Sequence, residues 1–296
     1  MNVSKRLAVI LATITAFIWG LTFLVIKSAM VVIGPMSLGL ARFTIASFLL
    51  LIPFILDKKL PSLKPRDLPA MAGAGLIGVT LYFLGENNGI KLLSASESSI
   101  IIGTIPVLTV LAERLFLKTR LTPGQYAGAA MSAVGVAVIV LESLKLSANP
   151  LGYLFMALAA FAWVVYGFMT KTLSGKYTRM EVTFWQSFFG GIGFIPFVFF
   201  EKLDWSAVNT SIVLQVLYLA VFGSAAGYFF YITSLDVLGT SVASVFINLI
   251  PVVSVIASFF ILKERLTVLQ MIGGIITIAG VYLANRISRP KASISV

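Results

Sequence analysis

One long stretch of this sequence occurs twice. Residues 96–136 recur as residues 241–281 when the chain is shifted by 145 positions, and roughly two in five of the paired residues are identical. The identical pairs include Ser96/Ser241, Ser99/Ser244, Ile102/Ile247, Pro106/Pro251, Lys118/Lys263, Arg120/Arg265, Leu121/Leu266, Thr122/Thr267, Gln125/Gln270, Gly128/Gly273 and Gly135/Gly280. A period this long indicates a duplicated half of the protein rather than the short repeats of a solenoid.

The composition predicts a membrane protein. Of the 296 residues, 59% are hydrophobic and only 11% are charged, whereas soluble domains carry about 25% charged residues. The mean hydropathy of +1.01 leaves no room for a sizeable soluble domain. Because a bilayer interior offers no water to backbone polar groups, we expect the spanning segments to be α-helices.

The residue types that are missing restrict the chemistry. The sequence contains neither cysteine nor histidine, which excludes disulfides and removes the commonest metal ligand and the commonest proton shuttle. We therefore expect no metal site, no cofactor and no histidine-based triad. The net charge of +11 is typical of nucleic-acid partners, but lysines and arginines in cytoplasmic loops explain it better, so no nucleic-acid partner is expected.

Ten apolar segments are long enough to cross a bilayer, which takes about 20 residues. They are Leu7–Ile26, Met36–Leu56, Leu68–Asn88, Ala95–Leu117, Gly124–Leu141, Leu151–Thr170, Val182–Phe200, Ile212–Thr233, Ser241–Leu262 and Val268–Asn285. A cleaved signal peptide is the competing interpretation of the first segment, but this segment is long enough to span and the repeat needs it. The prediction is an all-α membrane protein with ten transmembrane helices in two five-helix repeats (1–144 and 145–285) and a disordered tail (286–296).

The charges of the connecting segments predict the orientation. With the N-terminus in the cytoplasm, 14 lysines and arginines fall on the cytoplasmic side and 6 fall outside. Ten spans then return the C-terminus to the cytoplasm. Because each half has an odd number of helices, the two repeats should be inverted about an axis in the membrane plane. The weak point is the connection around Asp236, which should be cytoplasmic and has no basic residue.

Short motifs in both copies resemble the EamA domain of the drug/metabolite transporter superfamily. The matching residues are Phe17-Ile18-Trp19 and Phe161-Ala162-Trp163 in the first helices, Pro106 and Pro251 in the fourth, Glu264-Arg265-Leu266 after the fourth helix of the second copy, and Gly128, Gly135, Gly273 and Gly280 in the fifth. In the first copy Thr119 replaces the glutamate of the motif. The resemblance covers nearly the whole chain. It implies a bacterial inner-membrane carrier, commonly an exporter of amino acids or other small metabolites, whose cavity is lined mainly by the third and fourth helices of each copy.

Mid-helix prolines, and aromatic residues together with their polar neighbours, are candidates for lining such a cavity. A proline in mid-helix frees a backbone carbonyl, here that of Ile102 or Ile247, and the break can either bind substrate or serve only as a kink. Aromatic walls with few polar groups suit small amphipathic ligands. The predicted substrate-binding residues are Trp19, Tyr82, Glu86, Asn87, Pro106, Trp163, Tyr166, Tyr228, Tyr231, Asn248 and Pro251.

Charged residues inside the apolar segments are costly and are usually paired. We predict that Arg42 forms an ion pair with Glu86 or Glu97. The candidates for proton coupling are Glu86, Glu97 and Glu113. The competing interpretations are a structural ion pair for Glu86, an exposed helix end for Glu97, and a local pair with Lys118 for Glu113.

The spaced glycines have a simpler interpretation. Small residues on one helix face let two helix backbones approach closely. The faces are formed by Gly128 and Gly135, by Gly273, Gly274 and Gly280, and by Gly223 and Gly227. They are predicted to pack either within the subunit or across a homodimer.

The combined features favour a secondary transporter of a small molecule over the other classes. Duplicated halves in an apolar chain are typical of carriers with a site between the halves, and the sequence holds no nucleotide-binding loop. A channel needs a continuous polar pore, and no segment shows a sustained polar stripe. An intramembrane enzyme needs a catalytic motif, which the sequence lacks. The substrate, the direction of transport, the coupling ion and the oligomeric state do not follow from the sequence.

Overall fold

The computed structural model describes residues 3–116, 118, 122–145, 149–201 and 205–286. These ranges are almost entirely helical and contain no β-strand. The longer helices, in chain order, are α1 Lys5–Ala29, α2 Pro35–Leu56, α3 Pro65–Leu92, α4 Ala95–Phe116, α5 Pro123–Lys145, α6 Pro150–Leu173, α7 Arg179–Gly193, α8 Thr210–Leu238, α9 (Thr240–Val245 continued by Leu249–Ile261) and α10 Val268–Arg286. Of the predicted tail, only Arg286 belongs to the described residues.

Eight of these helical segments are long and apolar enough to cross a membrane. The two shorter ones are α7, with 15 residues, and α10, whose apolar part is Val268–Leu283. The chain is therefore all-helical with eight candidate membrane spans. Each of the ten predicted segments overlaps one of these helices.

The seventh segment differs from its prediction. The predicted span Val182–Phe200 ends as an α-helix at Gly193 and resumes as a single turn at Ile195–Val198. Two physical causes coincide there. Pro196 has no N–H to donate to the preceding turn, and the glycines just before it contribute little helix stability. At the end of the helix, the backbone N–H of Phe194 donates a hydrogen bond to Gly191 O at 3.2 Å.

The outer surface of the bundle is apolar. Large hydrophobic side chains remain exposed along several helices, for example Phe48 on α2, which is 67% exposed, and Phe161, Phe222 and Phe259 on α6, α8 and α9. A soluble protein rarely exposes so much contiguous apolar surface. This surface suits the hydrocarbon region of a membrane.

Helices of the first half pack mainly against helices of the second half. The closest such pair is α5 with α10, where glycines replace side chains at the contact. A Cβ atom on Gly135 would lie 2.5 Å from Gly273 O, and one on Gly280 would lie 2.7 Å from Gly128 O. These small-residue faces are thus used within the subunit. A homodimer stays a prediction.

Two sets of polar contacts mark the two ends of the bundle. At one end, called the Tyr177 end, Tyr177 Oη donates to Asp67 at 2.9 Å, and Arg179 Nη2 lies 2.7 Å from Asp236 Oδ2. The prediction placed Asp236 in a connection, but it lies in the last turn of α8, and its positive partner is Arg179, the first residue of α7. At the other end, called the Glu264 end, Glu201 and Glu264 of the second half accept hydrogen bonds from the starts of α2 and α4.

Candidate functional site

A small cavity lies between the two halves, and residues of both halves line it. We call it the central cavity. Its lining residues are Trp19, Thr22, Phe23, Arg42, Tyr82, Phe83, Glu86, Trp163, Tyr228 and Ile250. The volume of this cavity is about 20 Å³. A single buried water molecule needs about 10–15 Å³ of such space. The halves are therefore closed around a space for about one water molecule.

Aromatic rings form most of the cavity wall. The Trp19 and Trp163 ring centroids are 5.2 Å apart with the planes at 89°. Tyr82 lies 4.8 Å from Trp163, and Tyr228 lies 5.7 Å from Trp19. Edge-to-face pairs of this kind are favourable arrangements of aromatic rings. Trp19 and Trp163 are equivalent residues of the repeat, and the structure brings them together.

Glu86 places a carboxylate in this wall. It is 3% exposed and lies on the last part of α3, one helical turn after Tyr82. The Tyr82 hydroxyl donates a hydrogen bond to Glu86 Oε1 at 2.5 Å. A carboxyl group buried in a membrane-spanning segment is costly, so a residue of this kind is a functional candidate by default.

Arg42 faces the same cavity and is 1% exposed. Its Nε donates to Ser224 Oγ at 2.9 Å, and its guanidinium lies 4.3 Å from the centroid of the Phe83 ring. The Nη1 atom of Arg42 is buried and has no hydrogen-bond partner among the described residues. One donor group of a buried cation is therefore left for a ligand.

The predicted ion pair of Arg42 with Glu86 or Glu97 is not formed. Arg42 lies over an aromatic ring and bonds to α8, while Glu86 bonds to Tyr82. A cation over a ring face is stabilised by the ring quadrupole, which supplies part of the compensation that a carboxylate would give. The two opposite charges line one cavity without touching each other.

The helix segments beside the cavity are π-helical in both halves, which the sequence did not reveal. Leu76–Leu81 in α3 and Leu219–Ala226 in α8 have this form. Gly78 O accepts the Tyr228 hydroxyl at 3.0 Å, and Gly223 O accepts the Trp19 indole N–H at 2.9 Å. π-helical turns are rare and occur frequently at functional sites.

Four of the predicted binding residues do not line the central cavity: Tyr166, Tyr231, Asn87 and Asn248. The Tyr231 ring packs 5.1 Å from Trp163, and the Tyr166 hydroxyl donates to Gln186 Oε1 at 2.9 Å. Asn87 Nδ2 donates to Pro35 O at 2.7 Å. Asn248 lies in the single 3-10 turn that interrupts α9.

The two prolines mark real interruptions of α4 and α9. In α4 the helix stops at Ile102 and restarts at Ile105, one residue before Pro106. In α9 it restarts at Leu249, two residues before Pro251. Neither proline lines the central cavity. A Cβ atom on Gly103 would lie 2.6 Å from the Pro251 ring, so the two breaks pack against each other.

The two other glutamates proposed for proton coupling do not line the cavity. Glu97 is buried rather than exposed, and it forms a capping box with Ser94 at the start of α4. Tyr153 Oη also donates to Glu97 Oε1 at 3.1 Å. Glu113 is half-buried near the other end of the same helix. Glu97 therefore combines a helix cap with hydrogen bonds from Tyr153 and Gln270 of the second half.

Other wall residues were not predicted from the sequence. They are Thr22, Phe23, Phe83 and Ile250, together with Ser224, which holds Arg42. For two positions at the cavity, the sequence repeat could have identified the residue. Phe83 is the equivalent of Tyr228, and Gly78 is the equivalent of Gly223, both at a shift of 145. No group of three potential metal ligands occurs among the described residues.

Comparison with known proteins shows the family. The model of the EamA-like transporter family matches this chain twice, at residues 6–141 and at residues 150–286. The chain belongs to the EamA-like transporter family. A solved crystal structure superposes on 94% of this chain and 96% of its own with a TM-score of 0.69 at 20% identity, which shows a shared fold.

Relatives of this EamA-like transporter carry transport names. A protein of Streptantibioticus cattleyicolor named "Probable terminal-alkyne amino-acid exporter" is 30% identical, over 97% of this chain and 95% of its own. A protein of Escherichia coli named "Probable amino-acid metabolite efflux pump" is 28% identical, over 93% of each chain. An "Uncharacterized transporter" of Archaeoglobus fulgidus is 28% identical, over 94% of this chain and 98% of its own.

Proposed function

We propose that this EamA-like transporter is a secondary carrier that exports small amino-acid-like metabolites across the bacterial inner membrane by alternating access. The observation that carries the proposal is the central cavity. Both halves line it, and it combines aromatic rings with two buried opposite charges, Glu86 and Arg42. Carriers built from two repeats bind substrate at the interface of the repeats.

The polar groups of the cavity fit the two charges of an amino acid. The free Nη1 of Arg42 suits a carboxylate, since arginine and carboxylate form strong charge-assisted bonds. Glu86 suits an ammonium group, and the faces of Trp19 and Trp163 add a cation–π contribution. The names of the two relatives with amino-acid substrates support this substrate class.

We propose further that the halves, residues 1–144 and 145–285, are inverted and span the membrane with ten helices. Contacts at the ends support the inversion. Lys27 near the end of α1 donates to Leu93 O, while Gly152 near the start of α6 packs on Leu93. The equivalent helices α1 and α6 thus run in opposite directions. The excess of basic residues in alternate connections supports cytoplasmic termini.

Counterflow in sealed vesicles tests the function. Purified protein is reconstituted with unlabelled amino acids inside, and uptake of the same labelled compounds is followed with and without a pH gradient. Saturable, trans-stimulated uptake of at least one amino acid is expected. Non-saturating flux means a pore instead of a carrier, and the absence of counterflow for all amino acids contradicts the substrate class.

A further inference from the structure

Two carboxylates of the second half cap helices of the first half. The first is Glu201, beyond the end of α7. Its Oε1 accepts the backbone N–H of Met36 at 2.8 Å, and its Oε2 accepts the N–H and the hydroxyl of Ser37 at 2.8 and 2.7 Å. The N-cap residue of α2 is Gly34, which has no side chain to satisfy these N–H groups. Glu201 therefore supplies the cap that the first half lacks.

The second is Glu264, in the connection between α9 and α10. Its two oxygens accept the backbone N–H groups of Ala95 and Ser96 at 3.0 and 3.1 Å, and the Ser96 hydroxyl at 2.7 Å. The first N–H groups of a helix have no partner within the helix, and they attract negative charge. Glu264 thus ties the start of α4 to the second half. We call these two contact sets the inter-half caps.

The equivalent helix starts at the Tyr177 end are capped differently. The start of α7 is capped within its own half, by the box of Thr178 and Glu181. The start of α9 follows Gly239 and has no side-chain cap. In the sequence, Thr119 stands at the position equivalent to Glu264, so the first half does not repeat this carboxylate. The caps across the halves are one-sided.

The contacts between the halves at the Tyr177 end are more exposed to solvent than the inter-half caps. Glu181 accepts the N–H and hydroxyl of Ser62 at 2.9 and 2.6 Å, and Lys176 lies 3.2 Å from Asp67 with its own side chain 54% exposed. Ser62 belongs to the connection before α3 and not to the start of a spanning helix. Exposed ion pairs contribute little to stability.

We propose that Glu201 and Glu264 are positioning residues that hold the Glu264 end closed. The inference rests on alternating access. Opening this end must separate the halves there, which leaves the N–H groups at the starts of α2 and α4 without their carboxylates. Opening the Tyr177 end leaves both inter-half caps in place. The resting carrier therefore opens at the Tyr177 end, which is cytoplasmic in the proposed orientation and is the side from which an exporter loads.

Sided labelling of one cysteine tests this role. The chain has no cysteine, so Thr22→Cys in the cavity wall provides a single reporter. A membrane-impermeant maleimide is applied to right-side-out and to inside-out vesicles, and the initial labelling rate is measured for each side. The test variants are Glu264→Gln and Glu201→Gln. The matched control is Glu181→Gln at the opposite end, and Glu264→Asp is the conservative variant.

In either test variant, the labelling rate from the Glu264 end is expected to rise roughly fivefold, because the closed state loses about the free energy of one helix cap. Labelling from the Tyr177 end should fall, Glu181→Gln should not raise the rate at the Glu264 end, and Glu264→Asp should restore part of the closure. A folded Glu264→Gln variant with the parental rates overturns the inference. So does an equal rise in Glu181→Gln.

Two milder variants test the same role without removing a carboxylate. Ser96→Ala removes a single hydroxyl and keeps the carboxylate, so a smaller rise in the same direction is expected even where Glu264→Gln folds poorly. Unchanged labelling in Ser96→Ala and Ser37→Ala together overturns the role of the caps. If the reporter is labelled from neither side, or from both sides at once, in every variant, then alternating access itself fails, and the inference fails with it.

Discussion

The two halves of the transporter differ in the charged residues that they place at the central cavity. Glu86 in the first half corresponds to Tyr231 in the second, and Arg42 corresponds to Gln186, at the shift of 144 that relates the starts of α2 and α7. The first half thus supplies both buried charges near the cavity. The second half supplies Ser224, whose hydroxyl accepts a hydrogen bond from Arg42.

The contact between α5 and α10 shows the opposite behaviour. Gly128 and Gly273 are equivalent, as are Gly135 and Gly280, and both pairs are retained. Their close contacts leave no room for a side chain. Retained positions thus serve both helix packing and the aromatic cavity wall, as Trp19 and Trp163 show, whereas the two buried charges of the cavity stand at positions that have diverged.

The largest expected effect is on transport by Glu86→Gln. The amide keeps the shape of the side chain and removes the charge that we assign to a substrate ammonium group. A hydrogen bond to a charged group contributes about 1.5–3 kcal/mol, so the initial rate of counterflow should fall roughly tenfold or more. Tyr231→Phe, at the equivalent position, should stay within about threefold.

Equal rates for Glu86→Gln and the parent protein would remove Glu86 from the site. Equal losses of counterflow rate in Glu86→Gln and Tyr231→Phe would contradict the assigned difference between the halves, because the charge of Glu86 would then have no special role in transport.

The next effect concerns stability. Gly273→Ala places a Cβ atom 2.8 Å from Gly135 O, so α5 and α10 must move apart. Overpacking of this kind costs about 1–3 kcal/mol. The neighbour Gly274 is the matched control, because its nearest new contact would be Ile100 at an ordinary 3.5 Å. Thermal unfolding in detergent should show a lower Tm for Gly273→Ala and not for Gly274→Ala.

A smaller effect is expected for Glu97→Gln. In the capping box with Ser94 at the start of α4, this variant replaces one carboxylate oxygen by an NH2 group, so a donor such as the Tyr153 hydroxyl loses its acceptor, at a cost of about 1 kcal/mol. Ser94→Ala should lower the Tm by a similar amount, since it breaks the same box. The pH dependence of counterflow should be unchanged in both variants. A changed pH dependence in Glu97→Gln alone would restore Glu97 as a coupling residue.

The smallest effect is expected for the exposed Lys176 at the Tyr177 end, and Arg179 at the same end provides the contrast. Lys176→Gln removes an exposed ion pair with Asp67 and should cost less than about 0.5 kcal/mol. Arg179→Gln removes a half-buried contact in which two guanidinium nitrogens bond to Asp236 at 2.9 and 2.7 Å. It should cost about 1.5 kcal/mol or more. Equal unfolding temperatures for the two variants would contradict this ranking.

Most of the helical architecture follows from the sequence. Long apolar runs must bury their backbone polar groups in helices, and the prolines and glycines between the runs mark their ends. The span of α7 was predicted too long because apolar residues continue past the helix end at Gly193. The π-helical turns of α3 and α8 escaped prediction, since α- and π-helical turns use the same apolar residues.

The site was predicted only in part. Trp19, Trp163, Tyr82, Glu86 and Tyr228 line the cavity as expected of aromatic and charged residues at membrane depth. The direct contact expected between Arg42 and a glutamate is not formed in the structure, where Arg42 bonds to Ser224 and lies over the Phe83 ring. Residues such as Thr22 and Ile250 carry no distinctive pattern, and only the packing of the halves brings them to the cavity.

The inversion of the two halves is tested most directly at one pair of equivalent connections. Val31 lies in the connection after α1 and Lys176 lies in the connection after the equivalent helix α6, and both side chains are exposed. In the cysteine-free chain, Val31→Cys and Lys176→Cys are labelled separately with an impermeant maleimide in right-side-out and inside-out vesicles. The two cysteines are expected to react from opposite sides of the membrane. Reaction of both from the same side would contradict it.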